Sequence, residues 1–171
     1  MNLKNIKQPA NFPETITCII EIPEGSKNKY EIDKESGFLK LDRVLYSSMR
    51  YPGSYGFMPN SHCEDGDDLD VLVLGQEPIA SMALVDVRPI GFISFKDQGL
   101  QDDKIISVSL NDPDFEAVYE LTDLSKHRYR EIENFFKEYK ALENKTVDIV
   151  GQGGRKETLE VIKQSVLNLH L

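Results

Sequence analysis

The hydrophobic pattern changes period about two-thirds of the way along the chain, and that change limits the folds open to it. Before it, apolar residues fall in short β-branched runs. Thr15 to Ile22, Leu69 to Leu74, Ala83 to Val87, Ile90 to Phe95 and Ile105 to Leu110 read as strands, while Lys29 to Asp33 and Phe38 to Leu45 flank a turn at Ser36-Gly37 and read as a hairpin. Pro52-Gly53, Gly56, Pro59, Gly75, Pro78 and Pro89 punctuate these runs. After it, Ile132, Phe135, Phe136 and Tyr139 recur at helical spacing, which predicts a helix over 126–142 with Ser125 as its N-cap. Lys145 to Val150 suits a short strand, and Gly151-Gln152-Gly153-Gly154 reads as a turn. Glu157 to Leu169 reads as a second helix, with Leu159, Ile162, Val166 and Leu169 as its stripe. Many short strands followed by helices predict a mainly β fold with α (α+β): a small closed β-barrel with two C-terminal helices packed on it. At 171 residues, without repeat or linker, residues 1–171 form one expected domain.

Composition removes several function classes. A chain that is 40% hydrophobic and 29% charged is globular rather than disordered. A net charge of −9 disfavours general nucleic-acid binding, which draws its affinity from Lys and Arg on phosphates. Cys18 and Cys63 show neither CxxC nor zinc spacing and are expected as reduced thiols. The three histidines, His62, His127 and His170, are scattered and read as surface or structural residues. The N-terminal stretch has no apolar signal-peptide core and no run reaches membrane-spanning length, so a cytoplasmic protein without membrane attachment is expected.

The negative charge is concentrated. Glu64 to Asp70 holds five acids and Asp97 to Lys104 three more; without these eight the balance would be 21 acids to 20 bases. Asp70 leads directly into Val71-Leu72-Val73-Leu74, and Asp102 and Lys104 lead into Ile105-Ile106. A carboxylate at the mouth of a buried strand is costly unless paired or metal-bound. Carboxylates converging at strand mouths suit hard divalent cations. The pattern is not an EF-hand, because Leu69, Asp70 and Gln76 stand where that loop needs Asp or Asn, Gly and Glu. Gly151 to Gly154 is neither a P-loop nor a dinucleotide fingerprint.

The segment Asp65-Gly66-Asp67-Asp68-Leu69-Asp70-Val71 resembles the signature loop of the soluble family I inorganic pyrophosphatases, in their bacterial form. Ile20-Glu21-Ile22-Pro23, Asn28 to Gly37, Asp42-Arg43, Tyr51-Pro52 and Tyr55-Gly56-Phe57 extend the resemblance upstream. Arg88 to Gly91, Asp97, Asp102, Lys104-Ile105-Ile106 and Phe135 to Lys140 extend it downstream. The chain departs from the family's usual residues at Asp68, where Pro is common, at Gln98, where Glu is common, and at Gln152, where Trp is common.

The resemblance implies an OB-like barrel and Mg²⁺-dependent hydrolysis of pyrophosphate to two orthophosphates, with several Mg²⁺ ions per site. It implies metal ligation by Asp65, Asp70, Asp97, Asp102 and Glu31, with Glu21 orienting metal-held water. Asp67 is the implied general base, with Tyr55 and Lys104 beside it in the catalytic set. Lys29, Arg43, Lys104 and Lys140 would bind phosphates, with Tyr55 and Tyr139 as hydroxyl donors. A homohexamer is implied as well. This division of labour makes chemical sense: hydroxide will not approach a polyanion until its charge is neutralised, and phosphoryl transfer asks mainly for positioning and charge stabilisation. Other readings are a Ca²⁺- or Mg²⁺-binding protein without catalysis, a barrel that binds oligonucleotides or a protein, and a hydrolase of other phosphoanhydrides.

Overall fold

The computed structural model describes residues 3–64, 66–97 and 99–167, and of Lys4, Asp97, Leu100 and Leu167 the backbone alone. Its sheet closes on itself. With strands numbered in chain order, β1 (Ile16–Ile22) pairs with β4 (Ser54–Met58), β4 with β5 (Leu69–Leu74), β5 with β7 (Leu100–Ser109) and β7 with β6 (Leu84–Asp97). β6 then returns to pair with β1, completing a ring, and β8 (Val147–Gly154) extends the sheet along β6. β2 (Asn28–Ile32) and β3 (Leu39–Val44) form the separate hairpin that the Ser36-Gly37 turn predicts. The closed, mainly β architecture with two helices is the one expected from the sequence.

Three local readings need correction. Ala83 to Val87 and Ile90 to Phe95 are one strand, not two. Proline has no N–H to give a ladder, and the register against β7 slips between Pro89 and Gly91. The strand bends there instead of ending, so its first part pairs with β1 and its second with β8. Residues 54–58, which Gly56 and its neighbours mark as irregular, are strand β4. Glycine is needed in this strand because a Cβ at Gly56 would lie 1.8 Å from the Ile19 carbonyl oxygen. Residues 151–154 are the end of β8, not a turn, and a Cβ at Gly153 would lie 2.4 Å from the Phe92 ring.

α1 (Lys126–Glu138) begins where predicted, with Ser125 Oγ accepting from the Arg128 N–H at 3.1 Å. It stops at Glu138, short of residue 142. A 3₁₀ turn over Ala141–Glu143 follows, and Asn144 closes it at φ 56°. α2 (Arg155–Leu167) starts two residues before Glu157, and Leu169 of its expected stripe lies outside the described residues. Its fully covered residues are Thr158, Ile162 and Ser165, with Leu159 and Val166 only half-buried. The two hydroxyls donate back to Gly154 and Ile162 carbonyls, so neither is stranded in the interior.

The two faces of the sheet feed different cores. Ile132, Phe135 and Phe136 of α1 pack with Leu72, Leu74, Ile93, Phe95 and Ile106. Ile162 of α2 packs with Ile16, Cys18, Val71, Val73, Val87 and Ile105. β5 contributes to both, which explains its unbroken apolar run after Asp70. Each fully buried aliphatic side chain stabilises the fold by about 1.5–3 kcal/mol. Among the described residues, no helix is long and apolar enough to cross a membrane.

Candidate active site

Strand register assembles the site. β5 and β7 run parallel with Asp70 opposite Lys104, and Asp102 lies two residues before Lys104 on the same face of β7. The Lys104 ammonium pairs with both carboxylates, reaching Asp102 Oδ1 at 2.6 Å. Burial alone would lower the Lys104 pKa, but Asp70 and Asp102 outweigh it and hold the ammonium protonated well beyond neutral pH.

Around this centre lies a cavity of about 290 Å³. Six acids line it: Glu21, Glu31, Asp67, Asp68, Asp70 and Asp102. Facing them are four lysines, Lys29, Lys34, Lys104 and Lys140, and four tyrosines, Tyr30, Tyr51, Tyr55 and Tyr139. The acids come from β1, β2, the loop before β5, β5 itself and β7, so only the closed ring with its hairpin gathers them.

The tyrosines are set by packing. Tyr55 is buried beside Tyr51 and Phe136, with ring centroids 5.4 and 5.9 Å away. Burial, followed by the Asp70 and Asp102 charges, pushes its pKa far up, so the phenol keeps its proton and remains a donor. Tyr139 caps α1 and stacks on Phe135 at 5.1 Å, with the Lys140 ammonium 5.3 Å from its ring centroid.

Glu21 sits at the back of the cavity, where its carboxylate accepts the Ile32 N–H at 2.6 Å and so joins β1 to β2. Burial raises its pKa to about 7; the Ile32 N–H opposes the shift, and the nearby Asp70 and Glu31 charges add to it. With six acids against four lysines, the cavity's negative charge is under-compensated by the protein itself. An all-oxygen donor set in that condition fits hard divalent cations such as Mg²⁺.

Most residues singled out from the sequence meet at this cavity: Glu21, Glu31, Lys29, Tyr55, Asp67, Asp70, Asp102, Lys104, Tyr139 and Lys140. Asp65 and the side chain of Asp97 lie outside the described residues. Arg43 is not part of the cavity wall. Its Nε donates to Glu143 Oε1 at 3.0 Å and its Nη1 pairs with Asp42, which also pairs with Lys29 at 3.4 Å. Among the described residues, no three carboxylate, histidine or cysteine side chains close on a single point. Nothing in the sequence marks Lys34 and Tyr51 as lining this cavity or Glu143 as the partner of Arg43. Lys34 falls in a hairpin turn, Tyr51 in a stretch with no periodicity, and Glu143 gains its partner only through a contact 100 residues distant.

The sequence and the fold match known proteins. A family model described as inorganic pyrophosphatase matches residues 18–170. The chain belongs to the inorganic pyrophosphatase family. This pyrophosphatase is 47% identical over 158 residues to soluble inorganic pyrophosphatase 2 of Chlamydomonas reinhardtii, covering 92% of this chain and 82% of that one. It is similar across the full length of both chains to the crystal structure of inorganic pyrophosphatase from Thermus thermophilus, at TM-score 0.95 and 37% identity. A pyrophosphatase structure from Helicobacter pylori aligns at TM-score 0.92 and 35% identity, covering 98% of this chain and 99% of the other. The pyrophosphatase is thus a family I enzyme, an inorganic diphosphatase that hydrolyses a phosphoanhydride.

Proposed function

We propose that this pyrophosphatase hydrolyses pyrophosphate by a Mg²⁺-dependent direct attack of water, with Asp67 as general base. The observation that carries the reading is the single cavity in which six acids face four lysines and four tyrosines. Neither set alone suits the reaction: acids would repel a polyanion, and lysines alone would not activate water. Bound Mg²⁺ would neutralise phosphoryl oxygens and lower the pKa of water it holds from about 15.7 toward about 7.

Asp70, Asp102 and Glu31, with Asp65 and Asp97, are the proposed Mg²⁺ ligands, and Glu21 would orient water beside them. Asp67 takes a proton from the attacking water as the water oxygen bonds to one phosphorus. The bridging P–O bond breaks, and the second phosphate leaves. Lys29, Lys104 and Lys140 hold phosphate oxygens as point charges, and Tyr55 and Tyr139 donate hydroxyl hydrogens to them. Arg43 joins them bidentately if Glu143 and Asp42 yield it to substrate. We extend the reading to a cytoplasmic homohexamer; the exposed apolar side chains Phe38, Leu41, Val44 and Tyr46 support a subunit contact.

Phosphate release from pyrophosphate, measured with Mg²⁺, with Ca²⁺ and with EDTA, tests the chemistry. Fast release with Mg²⁺ that is lost in EDTA and suppressed by Ca²⁺ is the expected result; undiminished release in EDTA would refute metal dependence. Light scattering on the purified protein tests the hexamer.

A further inference from the structure

The turn between β2 and β3 reaches across to the signature loop of the ring. Asp33 fixes this turn by accepting the Ser36 N–H at 2.9 Å, and its own carbonyl takes the Gly37 N–H at 2.7 Å. From the turn, Lys34 Nζ extends to Asp67 Oδ1 at 3.0 Å and to Asp68 Oδ2 at 3.8 Å. Asp68 is in turn anchored: its Oδ1 accepts the Ser61 N–H at 3.3 Å, and the Ser61 hydroxyl accepts the Leu69 N–H at 2.7 Å. Backbone bonds from Cys63 N to Asp67 O at 2.9 Å and from Gly66 N to Cys63 O at 3.1 Å close the loop.

These contacts treat the two halves of Asp67 differently. Its backbone is fixed by the loop, but its side chain is 74% exposed, so packing does not select its rotamer. The ammonium of Lys34 holds it through an ion pair at 3.0 Å, and Asp68 holds that ammonium from the anchored side at 3.8 Å. We infer that Lys34 is a positioning residue that aims the Asp67 carboxylate, with Asp68 as its fastening. The inference rests on the general-base reading of Asp67. An ion pair this exposed adds little to stability, so removing it leaves the fold standing. Aim is a separate matter, because a misdirected base loses rate without loss of binding.

The test is steady-state kinetics with saturating Mg²⁺ on Lys34→Gln, Lys34→Arg, Asp67→Asn and the double variant Lys34→Gln/Asp67→Asn, beside the unaltered enzyme. Lys34→Gln is expected to lower kcat about 10-fold with KM near its original value, and Lys34→Arg to restore most of the loss. The double variant is expected to be no slower than Asp67→Asn alone, because Lys34 acts through Asp67. Multiplying losses, or a raised KM with kcat kept, would assign Lys34 to the substrate and overturn the proposal. A slow Asp67→Asn beside a fully active Lys34→Gln removes the positioning role and leaves the base in place. Near-normal turnover in Asp67→Asn overturns both.

Discussion

Asp70 and Lys104 stand directly opposite one another across the parallel pairing of β5 and β7, and the ammonium of one closes on the carboxylate of the other. Asp102 completes the arrangement at 2.6 Å. A single cation thus separates two carboxylates that would otherwise repel each other. It also leaves those carboxylates dependent on positive charge from some source.

Replacing that cation tests the dependence. Lys104→Met should destabilise the metal-free protein by about 2 kcal/mol, less than for a fully buried ion pair because Asp70 and Asp102 keep contact with water. Added Mg²⁺ should then raise the Tm of the variant more than that of the original protein, since an ion bound to the folded state stabilises it. Equal Mg²⁺ shifts in thermal melts would sink the idea that these carboxylates accept a metal.

Asp67→Asn should cut kcat at least 100-fold, the scale of losing a general base, with thermal melting unchanged. The exposed position makes the substitution structurally mild. Near-normal turnover would refute the base assignment.

Glu21 predicts a pH dependence. Its folded-state pKa, about 7, lies above the ordinary carboxylate value, so between the two the folded protein binds more protons than the unfolded chain. Metal-free stability should therefore fall as pH rises through that interval, by up to about 3 kcal/mol. Glu21→Gln keeps an oxygen to accept the Ile32 N–H and removes the titration, so it should flatten that slope. Denaturant melts of both proteins in EDTA at pH 5 and 8 measure the difference. Parallel slopes would remove Glu21 as the cause.

Gly56→Ala should be among the most damaging single changes in the chain. The added carbon meets the Ile19 backbone at 1.8 Å in a strand paired on both sides, so β1 and β4 must part. A loss of about 3 kcal/mol or more is expected, as for severe overpacking. Gly151→Ala, whose new carbon would find Ser94 at 3.6 Å, is the tolerant comparison in the same thermal melt.

Much of this was legible in the residues. The β-branched runs of β1, β5 and β7 and the stripe of α1 announce themselves because one kind of side chain repeats at the element's own period. The acids at the mouths of β5 and β7 were visible because charge there conflicts with the apolar run behind it. β4 was not legible, since Gly56 meets a demand made by a strand more than thirty residues earlier. Lys34 and Glu143 stayed hidden for the same kind of reason. Each resembles ordinary solvated charge until the hairpin is laid against the ring and the turn after α1 is brought to Arg43.

The parallel seam between β5 and β7 has a consequence for how activity can be lost. Parallel neighbours cannot be joined by a tight turn, and here the intervening chain is β6, which closes the ring against β1. Asp70 meets Lys104 only after β6 has crossed and β7 has come back to pair with β5, so the centre forms late, through a pairing of residues distant in sequence. Catalysis and the closed sheet should disappear together in one cooperative step, and separately prepared halves of the chain should be inert until they reassociate.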